Sequence, residues 1–160
     1  MRDNQKSKVY HAEMMLRQIY DNIALSGNPV MEFREVGATL TLPPEAKFGT
    51  IEGVQAYVDK VTDLLGVSPI AVRHRKGTAH AHYEPMTATI AVADHRKNGW
   101  GMREIVILHE VAHHMTRWDR AHHGPKFVAA FIDVLERVMG PEVGLALRFI
   151  NVSGSVKESG

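Results

Sequence analysis

From Ile105 to Met115 every residue is apolar except His109, Glu110, His113 and His114. A helix over 101–116 is therefore apolar on most sides, which places it in the interior. Imidazoles and a carboxylate buried there cost free energy unless something compensates them. Their spacing names the compensation. His109-Glu110-Val111-Ala112-His113 is an HExxH sequence. Residues four apart lie one turn apart on one helix face, so both imidazoles can reach a single metal ion. Glu110 stands about 100° round the helix from His109, at the edge of that face. It can touch a water on the ion without ligating the ion, which is the position a general base needs.

A catalytic zinc takes three protein ligands and leaves a fourth position open. Three residues downstream compete for the third place. His123 is neutral at pH 7 and suits zinc, and Gly124 after it allows a close approach, so His123 is favoured. Asp119 lies six residues past His113, where HExxHxxGxxH enzymes carry their third ligand. Thr116 stands in place of the glycine of that pattern, and Asp119 reads equally well as an acceptor for a ligand's N–H. Glu136 would complete a two-His, one-Glu site, or else sit in solvent beside Arg137.

Composition narrows the rest. The chain has no cysteine, which removes disulfides, zinc ribbons, iron–sulfur clusters and thiol nucleophiles together. It has ten histidines, nine of them between positions 74 and 123. Lys plus Arg is 19 against 18 Asp plus Glu, so the net charge of +1 does not indicate a nucleic-acid binder. No stretch is apolar enough to span a membrane, and the polar start shows no secretory signal, so the expected compartment is the cytoplasm. At 160 residues and 44% apolar, the chain reads as one globular domain over 1–160, with polar and flexible ends near 1–6 and 153–160.

Periodicity supplies the elements. Helices are predicted over 7–25, 51–65 and 101–116, then from Pro125 to Gly140 and from Pro141 onward. Residues 30–42 alternate as one strand, with Val36, Ala38, Leu40 and Leu42 on one face. Short strands follow over 70–75, 79–83 and 87–93, the last two forming a hairpin about Glu84-Pro85-Met86. The order predicts an α+β fold: a small mixed sheet packed with four to five helices, one bearing HExxH.

The remaining candidates are weaker. His80 and His82 share one face of a strand and read as an exposed polar face, or as a lining of the site or a second metal site. His114, His122 and Tyr83 are possible proton donors to an oxyanion, or plain neighbours of the site. Arg117, Arg120 and Lys126 make a small basic rim about Trp118, suited to a carboxylate or phosphate or to solvent.

His109-Glu110-x-x-His113 followed by His123-Gly124-x-x-Phe127 resembles the SprT-like group of zinc metallopeptidases. More narrowly, the chain from about 7 to 150 is similar to a family of small HExxH metallohydrolases of actinobacteria and their phages. Thr89-Ile-Ala-Val-Ala, Leu108-His-Glu-Val-Ala-His-His, His123-Gly-Pro-Lys-Phe and Val138-Met-Gly-Pro-Glu-Val-Gly-Leu carry that likeness. The resemblance implies a zincin-like fold, a Zn2+ cofactor, His109, His113 and His123 as ligands, and Glu110 as catalytic base. It implies hydrolysis, with a peptide or protein as the expected substrate. DNA-linked members of the SprT-like group use additional basic or zinc-ribbon segments, which this chain lacks. A zinc hydrolase of a non-peptide amide or ester, and a non-catalytic zinc-binding module, are the alternative classes. Likeness to zincins also implies an edge strand at the site, expected at 87–93, to which an extended substrate adds as one more strand.

Overall fold

A computed structural model describes residues 4–77, 80–93 and 102–160. The chain forms two compact units, Met1–Pro44 with Asp119–Gly160, and Glu45–Trp118. Among the described residues the fold is α+β, with five helices, a hairpin and a three-stranded sheet.

The first unit holds α1 (Lys6–Ser26), the hairpin β1 (Val30–Phe33) and β2 (Ala38–Thr41), α4 (Pro125–Val138) and α5 (Pro141–Ser153). α1 buries Val9, Ala12, Leu16 and Tyr20 along one face and stops at Gly27, which takes a left-handed φ of 71°. Pro125 and Pro141 stand in the first turns of α4 and α5, where the missing N–H costs nothing. α4 buries Phe127, Phe131, Val134 and Leu135. α5 packs close on α4 at Gly144, where an added Cβ would come within 2.1 Å of Glu136 Cγ.

The single strand expected over 30–42 is instead two strands paired antiparallel, Val30 opposite Thr41 and Phe33 opposite Ala38. The chain reverses at 34–37, closed by Gly37 with a φ of 65°. Alternation runs straight through this turn in the sequence, so Val36 matches the strand's apolar face and yet is exposed.

The first unit also ties residue 5 to the tail. Gln5 Nε2 donates to the Lys157 carbonyl at 3.0 Å, and Lys157 N–H donates back to Gln5 Oε1 at 3.1 Å. Ser159 N–H donates to the Pro125 carbonyl at 2.9 Å, and Arg148 pairs with Glu158.

The second unit holds α2 (Ile51–Leu65), β3 (Ala71–Arg75), β4 (His82–Glu84), β5 (Thr89–Ala93) and α3 (Glu104–Met115). Thr50 caps α2, its hydroxyl accepting from Gly53 N–H at 3.0 Å, and Gly66 ends the helix with a left-handed φ of 68°. The sheet order is β3-β5-β4: β3 runs parallel to β5, and β4 runs antiparallel to it. β5 is therefore central and every residue of it is buried, which overturns the expectation of an edge strand at 87–93. Ala91 explains why small residues suit this strand. It is flanked by Arg73 on β3 and His82 on β4, and Arg73 reaches across it to Glu84 on β4. The expected strand at 79–83 is seen as His82–Glu84, and residue 79 lies outside the described residues.

The outer edge of β3 is partly closed by a side chain of α2. Gln55 Nε2 donates to the Ile70 carbonyl at 2.9 Å, and Gln55 Oε1 accepts from Val72 N–H at 2.7 Å.

α3 begins at Glu104, three residues later than the predicted 101, which lies outside the described residues. Arg103 is extended and bridges antiparallel to Lys47, so the helix starts only after that bridge. Nearly every residue of α3 is buried.

Candidate metal centre

α3 carries His109, Glu110 and His113, and its start is held by a buried polar network. Glu45 accepts from Arg103 Nε at 3.0 Å and Nη2 at 2.6 Å, and from the Ile105 N–H at 3.1 Å. Glu45 thus caps a helix from outside it, satisfying one N–H of the first turn. Glu104 N–H donates to the Ala46 carbonyl at 2.9 Å, while Glu104 Oε1 accepts from Ala46 N–H at 3.0 Å. The Tyr57 hydroxyl donates to the other oxygen of Glu104. Burial first, and then the Glu104 charge, raise the Tyr57 hydroxyl far above the ordinary tyrosine value.

Further along the helix, His109 is 1% exposed, Glu110 is 4% exposed and His113 is half-buried. The rings of His109 and His113 lie 4.9 Å apart between centroids and cross at 66°, as one-turn neighbours on one face do.

His123 is placed by a tight turn. Gly124 N–H donates to the Ala121 carbonyl at 2.8 Å, and a Cβ on Gly124 would meet that of Ala121 at 2.8 Å. Only glycine fits, so the close approach foreseen at Gly124 is made by its own turn. The His123 ring is buried between Tyr10 and Phe127, each 5.1 Å away between ring centroids.

His109 and His113 belong to the second unit and His123 to the first. Three neutral imidazoles without a thiol or carboxylate are a donor set that zinc accepts at a catalytic site. Asp119 is half-buried. Glu136 is engaged elsewhere, accepting from Arg148 at 3.3 Å and lying over Gly144.

The other candidates take other roles. His82 sits on the polar face of the sheet, its Nδ1 2.8 Å from Arg75 Nη1 and its Nε2 3.1 Å from Glu84 Oε1. The His80 carbonyl accepts from Arg75 at 2.8 Å. His122, Trp118, Arg120 and Lys126 are exposed, and the Arg117 guanidinium stacks 4.9 Å over the Trp118 ring. Tyr83 and His114, both read as possible oxyanion donors, are bonded to each other at 2.7 Å. His114 Nε2 lies 2.9 Å from the Ser68 carbonyl, which can only accept, so Nε2 carries the proton and Nδ1 accepts from the Tyr83 hydroxyl. Burial, chiefly, holds the His114 ring below the ordinary histidine value and favours this neutral form.

Sequence reasoning did not find the supports: Glu45, Arg103 and Tyr57 at the start of α3, Ser68 behind His114, and Tyr10 beside His123. Their partners lie far along the chain, and no local period marks them. A cavity of about 430 Å³ in the first unit, lined by Met15, Ile19, Met31, Phe33 and Phe149 among others, holds none of the predicted site residues.

Compared with family models, with curated proteins and with solved structures, the chain matches none.

Proposed function

We propose that this protein is a zinc-dependent hydrolase of zincin-like build and that it cleaves peptide bonds. One observation carries the reading: the two histidines of HExxH stand one turn apart on a buried helix, their ring centroids 4.9 Å apart, with Glu110 beside them. His109, His113 and His123 would hold the ion. A bound zinc supplies Lewis acidity and makes water a usable nucleophile near neutral pH.

Glu110 takes the proton from the attacking water and hands it to the leaving nitrogen. The substrate would lie extended along β4. Among the described residues that strand is an edge of the sheet, and α3 packs against it, whereas Gln55 occupies part of the opposite edge on β3. Main-chain pairing of this kind reads few side chains and favours unfolded segments.

The test is metal analysis joined to cleavage of a peptide library and of small amides by zinc-loaded protein. About one zinc per chain with peptide cleavage is expected. Zinc without any hydrolysis would make the site structural, and turnover of small amides alone would move the substrate class.

A further inference from the structure

α3 is apolar on nearly every side, with Ile105, Ile107, Leu108, Val111 and Ala112 all fully buried. An ordinary surface helix is oriented by its single apolar stripe. A helix greasy all round has no such stripe, so aliphatic burial alone does not select its rotation about its own axis. The ligands depend on that rotation. Side-chain ends stand about 5–6 Å from a helix axis, so a turn of about 10° moves a ring nitrogen by about 1 Å. Looseness of that size is enough to spoil a constructed site.

Polar bonds at the two ends of α3 supply what the stripe does not. Glu45, Ala46 and Tyr57 hold the first turn. In the last turn His114, buried at 6% exposure, is tied at both ring nitrogens. Nε2–H donates to the Ser68 carbonyl at 2.9 Å, with the Ser68 hydroxyl 3.0 Å away, and Nδ1 accepts from Tyr83 at 2.7 Å. Ser68 lies just ahead of β3 and Tyr83 lies on β4, so one ring links the helix to both outer strands of the sheet. His114 shares a helix face with Glu110, one turn earlier, and stands about 100° round from His113. Fixing His114 therefore fixes the directions of Glu110 and both ligands at once.

We propose that the Tyr83–His114–Ser68 chain sets the rotation of α3, and that His114 is a positioning residue for the metal site. This rests on the reading of His109 and His113 as ligands.

Two variants break the same bond by different means. Tyr83→Phe removes the donor hydroxyl. His114→Gln keeps an N–H for the Ser68 carbonyl and removes the ring nitrogen that accepts. Zinc affinity is measured by competition with a chromophoric chelator, and the visible spectrum of the Co2+-loaded protein reports ligand geometry. Each folded variant should bind zinc about tenfold or more weakly than the parent and show an altered cobalt spectrum, with little change in melting temperature without metal. The double variant should lose no more than the weaker-binding single variant, because one bond is shared. Unchanged affinity and spectrum in folded variants overturn the proposal, and so do losses that multiply in the double variant. A parent chain that binds no zinc overturns the ligand reading and takes the proposal with it. A parent that binds, with variants that match it, overturns the positioning role alone.

Discussion

Two pairs of histidines stand at regular spacing in this chain, and their surroundings differ. His80 and His82 are two apart, the first ahead of β4 and the second opening it. His109 and His113 are four apart, on α3. The His82 ring meets an arginine at one nitrogen and a glutamate at the other, on a sheet face where Arg73 reaches the same Glu84. Such a ring is satisfied by ordinary side chains and solvent. The α3 pair has aliphatic neighbours along a helix that is buried over nearly its whole length. Spacing nominates both pairs. The difference teaches that the apolarity of the carrying element, more than the spacing, makes a histidine pair a candidate metal site.

The largest effect should separate the two pairs outright. His109→Ala or His113→Ala should take zinc content from about one per chain to none, while His80→Ala and His82→Ala leave it unchanged. Metal analysis after gel filtration checks this, and zinc retained by both helix variants would break the comparison. Chelation should also lower the melting temperature of the parent by linkage and leave that of His109→Ala unmoved.

Glu110→Gln should keep zinc and lower hydrolysis about 10²–10⁴-fold, the usual cost of losing a general base. Activity within about tenfold of the parent would remove Glu110 from the mechanism. For the third ligand, His123→Ala should weaken zinc binding severely and Glu136→Ala should not. An indispensable Asp119 with a silent His123 would point instead to the HExxHxxGxxH arrangement.

The scaffolds should differ as the sites do. Arg103 and Glu45 form a buried ion pair, with side chains 5% and 3% exposed. Arg103→Ala strands the Glu45 carboxylate and should cost about 3–5 kcal/mol in chemical denaturation. Arg73→Ala on the exposed sheet face should cost far less, because solvent screens that pair.

The smallest effect is one of pH. Arg73, through a hydrogen bond, holds the Glu84 carboxyl below its ordinary value of 4.5, with His82 adding to this. A depressed carboxyl contributes stability above its unfolded value and loses it as pH falls through the folded value. The parent should therefore melt slightly above Glu84→Gln at neutral pH, and the two curves should converge as pH falls from the ordinary carboxyl value through the lower folded one. A gap that persists in acid would mean that shape, not charge, sets the contribution of Glu84.

Much of the helical part was legible because each end is written locally. Thr50 and Gly66 bracket α2, and Gly140-Pro141 divides α4 from α5. HExxH was legible for the same reason, being five consecutive residues on one helix. The hairpin at 30–41 was not, since Val36 and Gly37 continue the alternation through a turn. The central place of β5 was not legible either. Strand order is set by what pairs on each side, and Thr-Ile-Ala-Val-Ala suits an edge or a centre equally well. The supports of the site pair residues such as Tyr83 with His114 and Glu45 with Arg103, 31 and 58 positions apart. No window of sequence contains both partners.

Gln55 has a consequence for the chain in the company of its own copies. An uncovered strand edge is a template on which another molecule's strand can grow, the first step toward aggregation. By meeting the Ile70 carbonyl and the Val72 N–H with one amide, Gln55 imitates a neighbouring peptide and occupies that template. It is held for the purpose by a further bond to Asp59 at 2.8 Å. A glutamine on a helix thus does the work of a strand that the sheet does not have. It leaves less of β3 open to recruiting one out of solution.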